Sequence, residues 1–130
     1  MNLSQNSLSV ITLFADDLAL TKSFYQEVFG LQVLFDGENQ AVFKFQNLVV
    51  NLTDASDPLE LIAPAAVANR VAGSRFQLVV QVDDVDAACV ELARHGVTLL
   101  NGPKDRPWGV RTASFTDPAG HIWEVAQDLP

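Results

Sequence analysis

The chain has 130 residues, of which 48% are hydrophobic and 18% charged, so it is long enough for one globular domain with a buried core. A formal net charge of −8 without a Lys/Arg cluster argues against nucleic acid and anionic membranes as partners. Apolar stretches too short for a bilayer and a start without a signal peptide predict no membrane association. With a single cysteine, Cys89, no internal disulfide is possible, and the predicted location is cytoplasmic.

The first predicted strand and helix lie near the N-terminus. Residues 10–15 are almost entirely apolar, which is typical of a buried strand. Asp16 or Asp17 can then cap a helix, because an aspartate carboxylate accepts the free backbone N–H groups of the first turn. The buried face of this helix is predicted at three apolar positions with four-residue spacing: Leu20, Phe24 and Val28.

Three short strands are predicted after this helix, because apolar-rich runs there are separated by turn residues. With the first strand and helix they form a βαβββ module at about residues 8–54. Residues 55–74 then break the pattern with proline, glycine, serine and aspartate, which is typical of a linker. A short helical segment is predicted within it, between residues 59 and 71. The three predicted strands are residues 31–36, 40–45 and 48–53.

The second half of the chain repeats the first. Each half has an apolar-rich run followed by two aspartates, Asp16-Asp17 and Asp83-Asp84, and then a helical pattern that ends at a glycine. The aspartate pairs lie about half the chain apart, which indicates a duplicated module rather than a solenoid. The second module therefore spans about residues 75–128. Its helix face is predicted at Val85, Ala88 and Leu92, and its strands at residues 77–82, 97–100, 110–116 and 122–127.

The period-two pattern of the predicted strands separates a helix-facing side from a second side that carries polar groups. Phe14 lies on that second side of the first strand, and Gln77 lies there in the corresponding strand of the second module. When the last strands of the modules are aligned, Asn51 and Glu124 occupy equivalent positions. Such a face suits either the wall of a ligand cavity or a sheet that faces solvent, and we predict the cavity.

Three motifs resemble those of the vicinal oxygen chelate superfamily. Residues 24–31 (FYQEVFGL) resemble its FYxxvLGl helix end, residues 80–86 (VQVDDVD) its FxVdDvd strand end, and residues 117–125 (DPAGHIWEV) its closing DPxGhxwEl motif. The resemblance covers about residues 8–127. It implies an α+β domain of two βαβββ modules related by pseudo-two-fold symmetry, with a curved mixed sheet around a central cleft, often completed in a homodimer.

The resemblance also implies where a metal would bind. Metal enzymes of the superfamily place ligands at four equivalent strand positions, which correspond here to Val10, Asn51, Gln77 and Glu124. Glu124 alone matches, because valine has no donor atom and neutral amides bind transition metals weakly. His121 lies three strand residues before Glu124, so their side chains are predicted on opposite faces. We therefore predict no metal and no other cofactor.

A fourth segment, residues 107–111 (PWGVR), resembles the pwGxR segment of the bleomycin-resistance branch, where it precedes a strand that lines the pocket. Trp108 could stack on a flat or apolar ligand, or cover the edge of the core. Arg111 could bind a carboxylate or pair with a nearby acid, and strand parity does not decide between these. Cys89 is predicted to be a small buried residue rather than a nucleophile.

The predicted function is metal-free binding of a small organic ligand, in the manner of the bleomycin-resistance branch, with sequestration of a drug or metabolite as one form. A homodimer is the predicted assembly. The alternative is a glyoxalase-like lyase or isomerase with an atypical site, because the closing glutamate motif is retained. A structural or regulatory domain without a small ligand is the third reading. The predicted ligand contacts are Phe14, Asn51, Gln77, Trp108, Arg111 and Glu124.

Overall fold

The computed structural model describes residues 3–55 and 61–130. They form two compact units, unit 1 and unit 2, with the boundary between Val67 and Ala68. Each unit has the order βαβββ, so the predicted α+β architecture of two modules is confirmed. Unit 1 contains β1 Val10–Ala15, α1 Leu18–Glu27, β2 Gln32–Asp36, β3 Gln40–Lys44 and β4 Val49–Asp54. Unit 2 contains β5 Gln77–Gln81, α2 Val85–Arg94, β6 Asn101–Arg106, β7 Val110–Thr116 and β8 Ile122–Asp128.

The two units have the same sheet topology. The strand order is β1-β4-β3-β2 in unit 1 and β5-β8-β7-β6 in unit 2. In both, the first strand runs parallel to the last and the other neighbours are antiparallel. Thr12 of β1 pairs with Asn51, and Val79 of β5 pairs with Glu124. Asn51 and Glu124 therefore occupy the same position in the two sheets, opposite the third residue of the first strand.

Helix α1 packs through a face one residue away from the predicted one. Asp17 caps the helix, and its carboxylate accepts the backbone N–H of Leu20 at 3.0 Å. Leu20 itself is 56% exposed, whereas Thr21 and Tyr25 are fully buried. Thr21 can be buried because its hydroxyl donates to the carbonyl oxygen of Asp17 at 2.8 Å. Tyr25 packs on Phe43 of β3, with ring centroids 5.7 Å apart, so the prediction of Leu20 as a core residue is wrong.

Helix α2 packs through the face that the sequence predicts. Asp84 caps it by accepting the backbone N–H of Ala87 at 3.1 Å. Val85 and Leu92 are both buried, one near each end of the helix. Within residues 3–55 and 61–130, no helix combines the length and the apolar character needed to cross a membrane.

Strand β6 differs from the predicted strand. The prediction places a strand at residues 97–100, whereas the observed one is Asn101–Arg106, with the polar sequence NGPKDR. It is an edge strand that pairs only with β7, and its register shifts between Asn101 and Lys104. Edge strands carry charges and proline because these oppose pairing with other chains. The apolar alternation that indicates a half-buried strand is therefore missing here.

The segment between the units is described in part. The predicted linker at residues 55–74, with its helical segment between residues 59 and 71, overlaps residues 56–60, which lie outside the described residues. Within residues 61–75, the helical piece is a three-residue 3₁₀ helix, Arg70–Ala72. Asn69 caps it by accepting the backbone N–H of Val71 at 3.1 Å. The prediction that both units belong to one domain stays a prediction.

Candidate functional site

Each sheet has one face packed on the helix of its own unit, and we call the opposite face the open face of that unit. Side chains paired across neighbouring strands point to the same face. Leu13 and Phe43 are buried on the helix side of unit 1, as Val125 and Phe115 are in unit 2. The open face of unit 1 therefore carries Val10, Thr12, Phe14, Val42, Asn51 and Thr53. The open face of unit 2 carries Gln77, Val79, Gln81, Thr112, Ser114 and Glu124.

Phe14 and Asn51, two of the predicted ligand contacts, both lie on the open face of unit 1. Phe14 pairs with Thr53, and Asn51 pairs with Thr12 in the parallel β1–β4 ladder. Both side chains are partly buried. The ladder thus makes the aromatic ring of Phe14 and the amide of Asn51 diagonal neighbours on the same face. Ligand sites combine apolar area and polar groups in this way.

The amide of Asn51 has an unmet hydrogen-bonding atom. Its Nδ2 donates to Oγ1 of Thr53 at 3.2 Å, whereas its Oδ1 is buried and has no hydrogen-bond partner among the described residues. Exchanging the nitrogen and oxygen of the amide would only move the unmet position from the oxygen to the nitrogen. A buried polar atom without a partner costs about 1–3 kcal/mol. A ligand or a water molecule that reached Asn51 would remove this cost.

Gln77 and Glu124 lie together on the open face of unit 2. Gln77 pairs with Ile122, and Glu124, two residues further along β8, pairs with Val79 on one side and with Ser114 on the other. Gln77 is exposed and Glu124 is partly buried. Across residues 3–55 and 61–130, the carboxylate of Glu124 makes no hydrogen bond or ion pair. Its acceptor oxygens are therefore available to a bound molecule.

Arg111 lies on the other face of the same sheet. Its neighbour Thr112 is paired with Ala126 on the open face, so Arg111 points to the helix side. Its Nε and Nη2 donate to Oδ1 of Asp86 at 3.0 and 2.9 Å, and its Nη1 donates to Oδ1 of Asp105 at 3.0 Å. Hydrogen bonds to Asp105 and Asp86 raise the pKa of Arg111 above its ordinary value. The geometry thus favours the ion pair for Arg111, and the structure does not bring it to the face that holds Glu124.

Trp108 lies in the turn between β6 and β7 and is 71% exposed. A tryptophan this exposed does not cover the core, so its indole surface is open to solvent or to a bound molecule. The neighbouring backbone is fixed, since the N–H of Gly109 donates to the carbonyl oxygen of Arg106 at 3.1 Å. The predicted alternative, in which Trp108 covers the edge of the core, is therefore wrong, and the ligand contact stays a prediction.

Cys89 has the environment of an unreactive thiol. Its side chain is partly buried on α2. Burial raises the pKa of the Cys89 thiol, the nearby carboxylate of Asp86 raises it further, and the guanidinium of Arg111 opposes both. A raised pKa reduces the thiolate fraction at neutral pH, and the thiolate is the nucleophilic form. Cys89 therefore makes a poor candidate for a catalytic nucleophile.

The closing motif DPAGH contains a buried carboxylate to which the sequence analysis assigned no role. Asp117 is 2% exposed, and its Oδ1 accepts the backbone N–H groups of Ala119 at 3.0 Å and His121 at 2.9 Å. Its Oδ2 lies 2.7 Å from Nδ1 of His121. His121 is therefore held by the turn before β8 rather than aimed at Glu124. The Asp-Pro-x-Gly sequence could have predicted this role, because the side chain of an aspartate at the start of such a turn often accepts hydrogen bonds from the backbone N–H groups that follow.

Arg106 also belongs to the open face of unit 2, although the apolar pattern of the sequence predicts no strand at this position. Its Nε donates to Oγ1 of Thr112 at 2.9 Å, and its Nη2 donates to Oδ1 of Asn101 at 2.7 Å. The next residue back, Asp105, pairs with Arg111 on the helix side. The alternation of charge in residues 104–106 was the available signal, since successive strand residues point to opposite faces.

The four positions at which the resemblance implies metal ligands do not fit a transition-metal ion. Val10 has no donor atom, and Asn51 and Gln77 offer only neutral amides. Glu124 is the single carboxylate, whereas a catalytic zinc site uses three protein ligands. In the part of the chain that the structure describes, no group of three or more His, Cys, Asp or Glu side chains could hold a metal ion.

Comparisons with known proteins agree with this architecture. A sequence model of the Glyoxalase/Bleomycin resistance protein/Dioxygenase superfamily matches residues 7–125. A glyoxalase/bleomycin resistance protein/dioxygenase from Nocardioides, 24% identical, superposes with a TM-score of 0.84 over 95% of this chain and 84% of that chain. A glyoxalase-related enzyme from Fulvimarina pelagi, 27% identical, gives 0.81 over 94% and 88%. TnmS3, an antibiotic binding protein from Streptomyces sp. CB03234, 28% identical, gives 0.72 over 95% and 96%.

Proposed function

Since the chain belongs to the Glyoxalase/Bleomycin resistance protein/Dioxygenase superfamily, we propose that it binds a small organic molecule at an open sheet face without a metal. Sequestration of a drug or metabolite is the proposed biological role. The observation that carries this proposal is the buried, unmet Oδ1 of Asn51. The similarity to TnmS3, an antibiotic binding protein, supports it.

The proposed ligand contacts divide into those that supply contact area and those that fix orientation. Phe14 and the exposed Trp108 offer aromatic surface, which supplies most of the affinity for small organic molecules. The amide of Asn51 in unit 1, and the amide of Gln77 and the carboxylate of Glu124 in unit 2, offer polar atoms that fix the orientation of a ligand on the face of their own unit. Arg111 is left out of this set, because its guanidinium is held by two aspartates on the helix side.

The proposed setting follows from composition and from the resemblance. A net charge of −8 supports a partner other than nucleic acid, because phosphate backbones are repelled by it. The single cysteine supports the cytoplasm as the location. A homodimer is the proposed assembly, on the strength of the family resemblance.

Replacing Asn51 with leucine is expected to weaken ligand binding and leave the free protein at least as stable. The change keeps the branched shape of the side chain and removes the unmet polar atom, which costs about 1–3 kcal/mol, while it gives up the hydrogen bond from Nδ2 to Oγ1 of Thr53, which is worth about 1 kcal/mol. A molecule found in a thermal-shift screen of small aromatic compounds and antibiotics should then bind about two- to tenfold more weakly, which is the effect of one hydrogen bond. Calorimetric titration and the melting temperature measure the two effects separately.

Gln26→Leu is the matched control, because it removes an exposed amide from α1 of the same unit. It should leave the affinity unchanged. Gln77→Leu and Trp108→Ala extend the test to unit 2, and Trp108→Ala should weaken binding more because it removes a larger contact surface. The proposal fails if no compound binds, or if none of the variants alters the affinity for a compound that the parent binds.

The second candidate is a glyoxalase-like lyase or isomerase, which the similarity to the glyoxalase-related enzyme from Fulvimarina pelagi favours. The two candidates differ in their need for a metal. Metal enzymes of the superfamily hold the ion with protein side chains that this chain mostly lacks, whereas the proposed binding protein needs no metal. Elemental analysis of protein purified without chelators should give far less than one transition-metal ion per chain. A stoichiometric Zn, Ni, Fe or Mn signal that Glu124→Ala removes would favour the enzyme instead.

A further inference from the structure

We propose that Arg106 binds a carboxylate group of the organic ligand, which makes unit 2 selective for molecules with a single negative charge. The inference rests on the proposed function and adds a ligand class to it. It comes from an arginine on the open face of unit 2 that has no carboxylate partner among the residues that the structure describes.

The side chain of Arg106 is fixed in place by neutral groups. Thr112, which is 1% exposed, accepts from Nε at 2.9 Å, and Asn101 accepts from Nη2 at 2.7 Å. A guanidinium has five N–H donors, so three remain after these two bonds. A guanidinium already fixed in position loses little conformational entropy when it binds a ligand.

Arg106 keeps its charge unpaired in a chain that is rich in acids. The sequence has 16 Asp and Glu against 8 Lys and Arg, yet no carboxylate in residues 3–55 and 61–130 lies within ion-pair distance of Arg106. Its sequence neighbour Asp105 turns to the helix side and binds Arg111 at 3.0 Å. Lys104, in contrast, pairs with Thr112 and so shares the open face with Arg106. In strand β6, Asp105 therefore points to the helix side, whereas Lys104 and Arg106 point to the open face.

The charges nearby favour a carboxylate over a phosphate. A carboxylate is planar and can accept two parallel N–H bonds from a guanidinium. Glu124 lies on the same open face across Ser114, and Asp128 lies on it across Val110, so these two carboxylates offset the charge of Lys104 and would repel a second negative charge on the ligand. The same carboxylate of Glu124 would accept a hydrogen bond from an N–H group of the ligand. The combination fits an N-acylated amino acid or a similar molecule with one carboxylate and a neutral N–H donor.

The test uses two probes that differ only in charge, N-acetyl-L-phenylalanine and N-acetyl-L-phenylalaninamide. Each is titrated into ¹⁵N-labelled protein, and the amide shifts of β6, β7 and β8 are followed. The acid should bind with a Kd of about 1 mM and the amide about tenfold more weakly. Arg106→Gln should reduce the affinity for the acid to that for the amide, and Arg106→Lys should recover part of the difference. Arg94→Gln, which removes the same charge from the exposed side of α2, should change neither value.

The outcomes separate this inference from the proposed function. Equal affinities of the two probes, or an equal loss in Arg94→Gln and Arg106→Gln, overturn the carboxylate site and leave small-molecule binding standing. The absence of a saturable shift with either probe at about 10 mM also overturns it. If compounds from the screen nevertheless bind, the carboxylate site alone fails; if none binds, both proposals fail. An unchanged spectrum of free Arg106→Gln shows that the variant is folded.

Discussion

Gly102→Ala is expected to lower the free energy of unfolding by more than about 3 kcal/mol, because two costs add at this position. Gly102 has φ +87°, in the left-handed region that disfavours a side chain. A Cβ there would also lie 2.4 Å from the carbonyl oxygen of Thr112 and 2.9 Å from Cα of Ala113. Both atoms belong to the backbone of β7, so neither can move without breaking the ladder. Denaturant unfolding at neutral pH measures the loss.

Gly109→Ala is the matched control, because Gly109 lies in the turn of the same β6–β7 hairpin. Gly109 has φ +88°, but a Cβ there would meet no atom within 4 Å. The substitution should therefore cost only the backbone strain, about 1–2 kcal/mol. Equal losses in the two variants would show that β6 can move away from β7, contrary to the close approach at Gly102.

The strands whose side chains alternate between a buried and a partly open face were predictable, and these include β1 at an edge of its sheet. Strands β1 and β7 begin and end at the predicted residues, and β8 extends one residue beyond its predicted end. Strand β6 was not predictable, since as an edge strand it carries Pro103 and three charged residues instead of an apolar face. The strand prediction therefore succeeds where the apolar alternation is present and fails at β6, where it is missing.

The packing face of α1 shows a different limit. Counting apolar residues selects Leu20, yet Thr21 is the buried residue, because a local hydrogen bond to Asp17 satisfies its hydroxyl. Hydrophobic periodicity treats threonine as polar and cannot recognise such a bond. Tyr25 then packs on Phe43 and Phe29, and these aromatic contacts fix the rotation of the helix.

The candidate site was predictable only as far as strand parity extends. Parity assigns Asn51 and Glu124 to the non-helix side, and the ladders pair them with Thr12 and Val79 on that side. It could not decide the role of Arg111, because this depends on Asp86 and Asp105, which come from two other elements. Ion pairs between distant elements need the three-dimensional structure.

Asp117→Ala is expected to lower the free energy of unfolding by about 3 kcal/mol or more. The substitution leaves the backbone N–H groups of Ala119 and His121 without their acceptor in a partly buried turn, and an unmet donor costs about 1–3 kcal/mol when it is buried. It also removes the contact between Oδ2 and Nδ1 of His121. Asp117→Asn keeps one acceptor oxygen for the two N–H groups and should lose less. Denaturant unfolding of both variants at neutral pH measures the difference.

Asp128→Ala provides the control, because Asp128 is an exposed aspartate at the end of β8 and its loss should cost less than about 0.5 kcal/mol. If Asp117→Ala costs no more than this control, the buried carboxylate of Asp117 does not anchor the strand. The turn matters for function because it sets where β8 begins, with Ile122 opposite Gln77 and Glu124 opposite Val79. A shift of β8 by one residue would move Glu124 to the helix side. Asp117 thus acts on the candidate site through the register of the strand, without contact with a ligand.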